Sequence, residues 1–132
     1  MHTKTVDLIV VGGGHAGIEA ALAGARLGCS VLLCTLDPSM IGYMPCNPSI
    51  GGPAKGQIVG EIDALGGEMG RAADATFLQL KVLNRSRGPA VQCLRAQSDK
   101  VAYAAHMRHV INTNTRIEVM SEEVDNLLIE DN

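Results

Sequence analysis

The chain has 132 residues, 46% of them hydrophobic, and a net charge of −3 from 11 Lys/Arg and 14 Asp/Glu. That length suits one small domain with its own core, no run of eighteen apolar residues offers a membrane span, and the charge balance gives no chain-wide basic footprint for nucleic acid. Tyr43, Phe77 and Tyr103 are the only aromatic residues, which leaves few platforms for base stacking, and Cys29, Cys34, Cys46 and Cys93 form neither C-x-x-C nor a zinc pattern.

His2, Lys4 and Asp7 interrupt the start before a signal segment can form, so a cytoplasmic location with free thiols is expected. An apolar run over residues 6–11 reads as a strand. It leads straight into Gly12-Gly13-Gly14-His15-Ala16-Gly17, then a helix over 18–27 and a second strand over 31–34. Gly12, Gly14 and Gly17 fall on the G-x-G-x-x-G template of dinucleotide-binding folds. The first glycine permits a tight turn and the second leaves room for a pyrophosphate. The third lets the helix lie close to the sheet, and the free N–H groups of the helix start face the diphosphate. Small residues along the helix suit close packing, and Gly28 is a plausible end cap. The alternative is a βαβ unit with a glycine turn and no ligand.

Residues 36–56 hold four prolines and no clear period, so they read as a long loop of the kind that carries function. Within it, Cys46-Asn47-Pro48-Ser49-Ile50-Gly51-Gly52-Pro53-Ala54-Lys55-Gly56 combines a thiol, an amide, flexible glycines and a cation. Cys46 near Lys55 is a candidate nucleophile, because a thiol beside a positive charge ionises more readily. The residues alone favour the plainer reading, a loop cysteine with no chemistry. Lys55 and Asn47 are candidates for a phosphate or an anionic flavin.

Ile58, Ile62, Leu65 and Met69 form an apolar stripe at helical spacing, with Gly66-Gly67 ending or bending the helix. Alternation at Leu78, Leu80 and Val82 predicts a strand. A helix begins near Ser98 and stops at 112–114, and strands are expected over 117–120 and 124–129. Between Asp74 and Asp99 there is no acidic residue, while Lys81, Arg85, Arg87 and Arg95 are all present. This local cationic stripe is a candidate for RNA or cofactor phosphates, or simply a solvated surface. The expected fold is α/β, a Rossmann-like FAD-binding βαβ domain of glutathione-reductase type, incomplete at its C-terminus. Residues 1–132 make up its N-terminal part, with an insertion-like segment over 36–97.

With these motifs in order, the chain resembles the N-terminal region of the glucose-inhibited division protein A family. The markers are Gly12-Gly13-Gly14-His15-Ala16-Gly17-Ile18-Glu19-Ala20-Ala21 and the run from Cys46 to Gly56. Glu61-Ile62-Asp63-Ala64-Leu65-Gly66-Gly67, Arg87-Gly88-Pro89-Ala90-Val91 and Arg95-Ala96-Gln97 complete them. The resemblance implies a flavoenzyme that installs the (carboxymethyl)aminomethyl group at C5 of the tRNA wobble uridine. It implies FAD at residues 12–17, with the Val124 backbone at the adenine, and Cys46 as a catalytic cysteine. It further implies NADH and methylenetetrahydrofolate as co-substrates, a GTPase partner and a homodimer. Arg85, Arg87 and Arg95, read from the local charge pattern, remain the phosphate candidates. The second strand ends on Thr35-Leu36-Asp37, making Thr35 or Asp37 the ribose candidate, and Gln92 replaces a basic or bulky residue, which is expected to weaken a phosphate contact. The family's NADH region and second cysteine are missing, so the segment by itself is expected to be inactive. A nucleotide-binding fragment without catalysis and a generic FAD oxidoreductase are the alternatives.

Overall fold

The computed structural model describes residues 5–129. The chain builds two three-stranded sheets. The first is parallel, in the order β1 (Leu8–Val11), β2 (Val31–Thr35), β6 (Ile117–Ser121). Helix α1 (His15–Arg26) makes the β1–β2 crossover, and α4 (Lys100–Thr113) leads into β6. This order is half of the doubly wound arrangement. After β2 the chain leaves this sheet and builds the second before returning: β3 (Ser49–Gly51), α2 (Lys55–Ala64), α3 (Met69–Thr76), β4 (Phe77–Leu83) and β5 (Cys93–Ser98). That sheet is antiparallel, in the order β3-β5-β4.

Local chemistry sets the boundaries. β1 starts at Leu8 rather than at residue 6 because the Asp7 carboxylate accepts hydrogen bonds from the Ser30 N–H and hydroxyl, both at 2.7 Å, which ties the two strand entrances together. α1 ends where Gly28 takes a φ of 92°, the left-handed conformation that closes helices. Asp99 caps α4 by accepting from the N–H groups of Val101 and Ala102, as a helix N-cap should.

One core fills the space between α1, α4 and the parallel sheet. Val10, Ile18, Leu22, Val31, Leu33, Tyr103, Met107, Ile111 and Ile117 are buried there with Ile41, Met44 and Ala72. The antiparallel layer is looser. No residue of α2 is fully buried, and half of the apolar stripe is open: Ile58 is 55% exposed and Leu65 83%, whereas Ile62 is half-buried and Met69 packs against the core. The stripe also does not form one helix, because α2 ends before Gly66 and Met69 opens α3. Residues 124–129 form no strand; Leu127, Leu128 and Ile129 are exposed, with no partner strand among the described residues. An apolar run alone does not make a strand without a ladder to join. The long loop over 36–56 contains a 3₁₀ turn at Pro38–Met40 and the three residues of β3. Among the described residues no helix is long and apolar enough to cross a membrane.

Candidate functional site

The site begins at the C-terminal ends of the parallel strands, where open α/β sheets bind ligands. Gly12 leaves β1 with a φ of 106°, and its N–H donates to the Cys34 carbonyl at 2.8 Å. Gly17 must be glycine because a β-carbon there would run into the Gly12 carbonyl oxygen. A β-carbon on Gly13 would lie 2.8 Å from Ile41 Cγ1, and the Gly42 N–H donates to the Gly13 carbonyl at 3.1 Å. The loop is thus clamped from below and from one side. Gly14 is different: space around its β-position is empty within 4 Å. Gly14 is the N-cap of α1 and supplies no side-chain acceptor, so the first N–H groups of the helix, those of His15, Ala16 and Gly17, have no intrahelical partner. Empty space over uncapped donors at a positive helix end is the geometry of a phosphate site.

Two cavities flank this loop. One, of about 540 Å³, runs over the strand ends between Gly12, Thr35, Asp37, Glu122, Glu123 and Val124. Its polar groups are mainly carboxylates, acceptors suited to ribose hydroxyls and hostile to a further phosphate. Hydrogen bonding from Ser39, its side chain first and then its N–H at 2.8 Å, holds the Asp37 carboxyl below the usual range. Glu122 and Glu123 were not singled out from the sequence; their position just beyond a parallel strand is the signal that marks them. The other cavity, about 290 Å³, lies between His15, Ser49, Lys55, Ile58, Ile62 and Met69. It joins the helix end to the second layer, so His15 and Lys55 share one cleft. A strained turn precedes Lys55: its N–H donates to the Pro53 carbonyl at 2.8 Å across Ala54, whose φ is 61°, a γ-turn of the rare hand.

Behind the cleft, the His15 ring packs on Tyr103 with centroids 5.6 Å apart. Burial pushes His15 below its ordinary value, against the opposing effect of Glu19, and pushes the Tyr103 phenol up. His15 Nε2, the Tyr103 hydroxyl and the Ser98 hydroxyl are buried without a hydrogen-bond partner among the described residues. Glu19, on α1, accepts from the N–H groups of Glu68 and Met69 at 2.9 and 2.7 Å and so caps α3 from another element. Glu68 in turn meets His106 Nε2 at 2.8 Å.

Val124 lines the larger cavity and Lys55 the smaller. Cys46 is exposed and Asn47 accepts from the Ser49 N–H; neither lines these two cavities, although the loop is tied to the glycine turn through Gly42 and to β5 through the Pro48 carbonyl, which accepts from Ser98 N–H at 2.7 Å. Arg85, Arg87 and Arg95 also lie outside both cavities, on the antiparallel sheet and its β4–β5 turn. Gln92 has a different part from the weakened phosphate contact expected of it: its amide donates to the Arg87 carbonyl at 3.0 Å and braces that turn.

The sequence model of the family described as glucose inhibited division protein A matches residues 7–132. The chain belongs to that family. The tRNA uridine 5-carboxymethylaminomethyl modification enzyme MnmG of Streptococcus thermophilus is 56% identical to it over 128 residues, which is 97% of this chain and 20% of that enzyme. The structure of Aquifex aeolicus GidA matches with a TM-score of 0.93 at 49% identity, over 97% of this chain and 21% of its own. Aklavinone-11 hydroxylase, solved with FAD and aklavinone, shares the fold with a TM-score of 0.52 at 18% identity, over 90% of this chain and 26% of that one. The family member is therefore seen here across about one fifth of the length of those relatives.

Proposed function

We propose that this chain is the FAD-binding part of an enzyme that modifies C5 of the tRNA wobble uridine with a (carboxymethyl)aminomethyl group. The observation that carries the reading is the uncapped start of α1 beneath the open space at Gly14, in a chain of this family. Residues 12–17 hold the diphosphate through backbone N–H groups. The adenosine end lies over the strand tips, with Thr35, Asp37 or Glu122 to the ribose and the Val124 backbone to the adenine. His15 and Lys55 face the flavin end, where a cation favours an anionic ring. When bound, FAD supplies redox chemistry that no side chain of the chain offers.

Cys46, on its exposed loop, is the nucleophile of this reading. Addition of its thiolate to uridine C6 would make C5 nucleophilic enough to bond to a one-carbon electrophile drawn from methylenetetrahydrofolate, and loss of the C5 proton with departure of the thiolate would then restore the ring. Asn47 orients the uridine. NADH and methylenetetrahydrofolate are the co-substrates, a GTPase is the partner, and the protein acts as a cytoplasmic homodimer. The insertion-like segment over 36–97 is the part that meets RNA. The test is nucleoside mass spectrometry of tRNA from cells whose only copy carries Cys46→Ser. Absence of the modified uridine with flavin content retained is expected; a normal level would remove Cys46 from the chemistry.

A further inference from the structure

The register of the antiparallel sheet sets Lys81 of β4 directly opposite Arg95 of β5, with Gly51 of β3 on the other side of Arg95. Residues opposite each other share a face, and like charges so placed destabilise a sheet. Neither cation is in a salt bridge among the described residues, and the strands that carry them hold no acidic residue, the sequence having none between Asp74 and Asp99. Two positions along, on the same face, Gln79 stands opposite Gln97 and Gln97 opposite Ser49. The adjoining turn is rigidly built. The Asn84 amide donates to the Val91 carbonyl at 2.9 Å, the Arg87 N–H donates to the Asn84 carbonyl at 2.8 Å, and Gln92 closes the turn from its far end. Arg85 and Arg87 project from it, exposed.

We infer that this face binds the sugar–phosphate surface of a folded RNA stem. Lys81 and Arg95 take phosphates, and a bound anion offsets the like charge of the pair. Gln79, Gln97 and Ser49 offer donors and acceptors to ribose 2′-hydroxyls, the groups that an A-form minor groove displays. No aromatic side chain lies in these two rows; Phe77, exposed on β4 beyond a register shift, is the aromatic residue next along that strand, and a single ring is less than the set on which successive unstacked bases are held. Arg85 and Arg87 extend the contact along the backbone. The inference rests on the tRNA reading above and adds where, and by what chemistry, the RNA is held.

The experiment measures binding of unmodified tRNA transcript to the full protein over a range of salt, for the unaltered protein, Lys81→Gln and Lys81→Gln/Arg95→Gln. The double variant should lower the slope of log affinity against log salt by about 1.4–1.8, and Lys81→Gln alone by about 0.7–0.9, with flavin content unchanged. Lys81 is exposed, so the single variant reads the effect even where loss of Arg95 disturbs the sheet; Arg95→Lys should keep the slope. Tight tRNA binding with an unaltered slope in Lys81→Gln would overturn this surface and leave the tRNA reading standing. Failure of the unaltered protein to bind tRNA would overturn both. Poly-glutamate binding as tightly as tRNA, with the same loss in the variants, would identify an acidic protein partner and overturn the RNA assignment.

Discussion

The two layers of this molecule differ in what they present to a ligand. In the parallel layer, α1 and α4 seal one side of the sheet and the exposed chemistry is backbone: N–H groups at a helix start, held by glycine contacts that tolerate no β-carbon at Gly17. In the antiparallel layer no residue of the helix α2 is fully buried, Leu80 and Leu94 are half exposed, and the chemistry is side chains: Lys55, Lys81, Arg85, Arg87 and Arg95. A site made of backbone needs a rigid frame, because it cannot adjust. A site made of long cations does not, since their stems reach and turn. The difference teaches that a packed core lies where geometry has to be fixed, at the glycine loop proposed for the diphosphate.

Substitutions in the two layers should therefore separate. Ile111→Ala, in the sealed core, should cost about 3 kcal/mol in urea unfolding, whereas Leu65→Ala, at an open position, should stay within about 0.5 kcal/mol. Equal losses would show that the antiparallel layer is as tightly packed as the other. Gly17→Ala should cost about 2 kcal/mol, since its methyl meets a backbone oxygen that has nowhere to go, and it should release flavin as a consequence. Glu19→Gln tests the joint between the layers. Its carboxylate holds the two N–H groups at the start of α3, and the neutral amide should cost about 1–2 kcal/mol while leaving the core spectroscopically intact.

The smallest effect is in pH. His15 titrates below its ordinary value of 6.5 in the folded protein because burial disfavours the charged ring. The unfolded chain then binds the proton more readily, so stability is full above 6.5 and falls as pH drops below it. His15→Phe should flatten that part of the stability–pH curve; an unchanged curve would place the pH dependence on other groups.

These two layers were also unequally legible. β1, α1 and β2 follow from an apolar run, a glycine pattern and another apolar run, because each packs against the same core and so carries its periodicity. α4 was readable for the same reason. β5 was not: Cys93-Leu94-Arg95-Ala96-Gln97-Ser98 has too little alternation to read as a strand, and it forms because β3 and β4 pair with it on both edges. α3 was hidden by Gly66-Gly67 and is set by Glu19, forty-nine residues from Glu68, a contact that no local pattern announces. The residues expected at 124–129 to form a strand had the composition without the partner. Among site residues, the glycine loop was legible as a motif, whereas Glu122, Glu123 and the His15–Tyr103 contact depend on where β6 and α4 land.

The central claim is that the open space at Gly14 is the place of the FAD diphosphate. Gly14→Val puts a branched side chain into that space, where a β-carbon meets no protein atom within 4 Å. The measurement is the flavin content of the purified full protein, read by absorbance beside its urea unfolding curve. Loss of nearly all flavin with stability changed by about 1 kcal/mol or less is the expected result. A full complement of FAD in Gly14→Val would contradict the assignment.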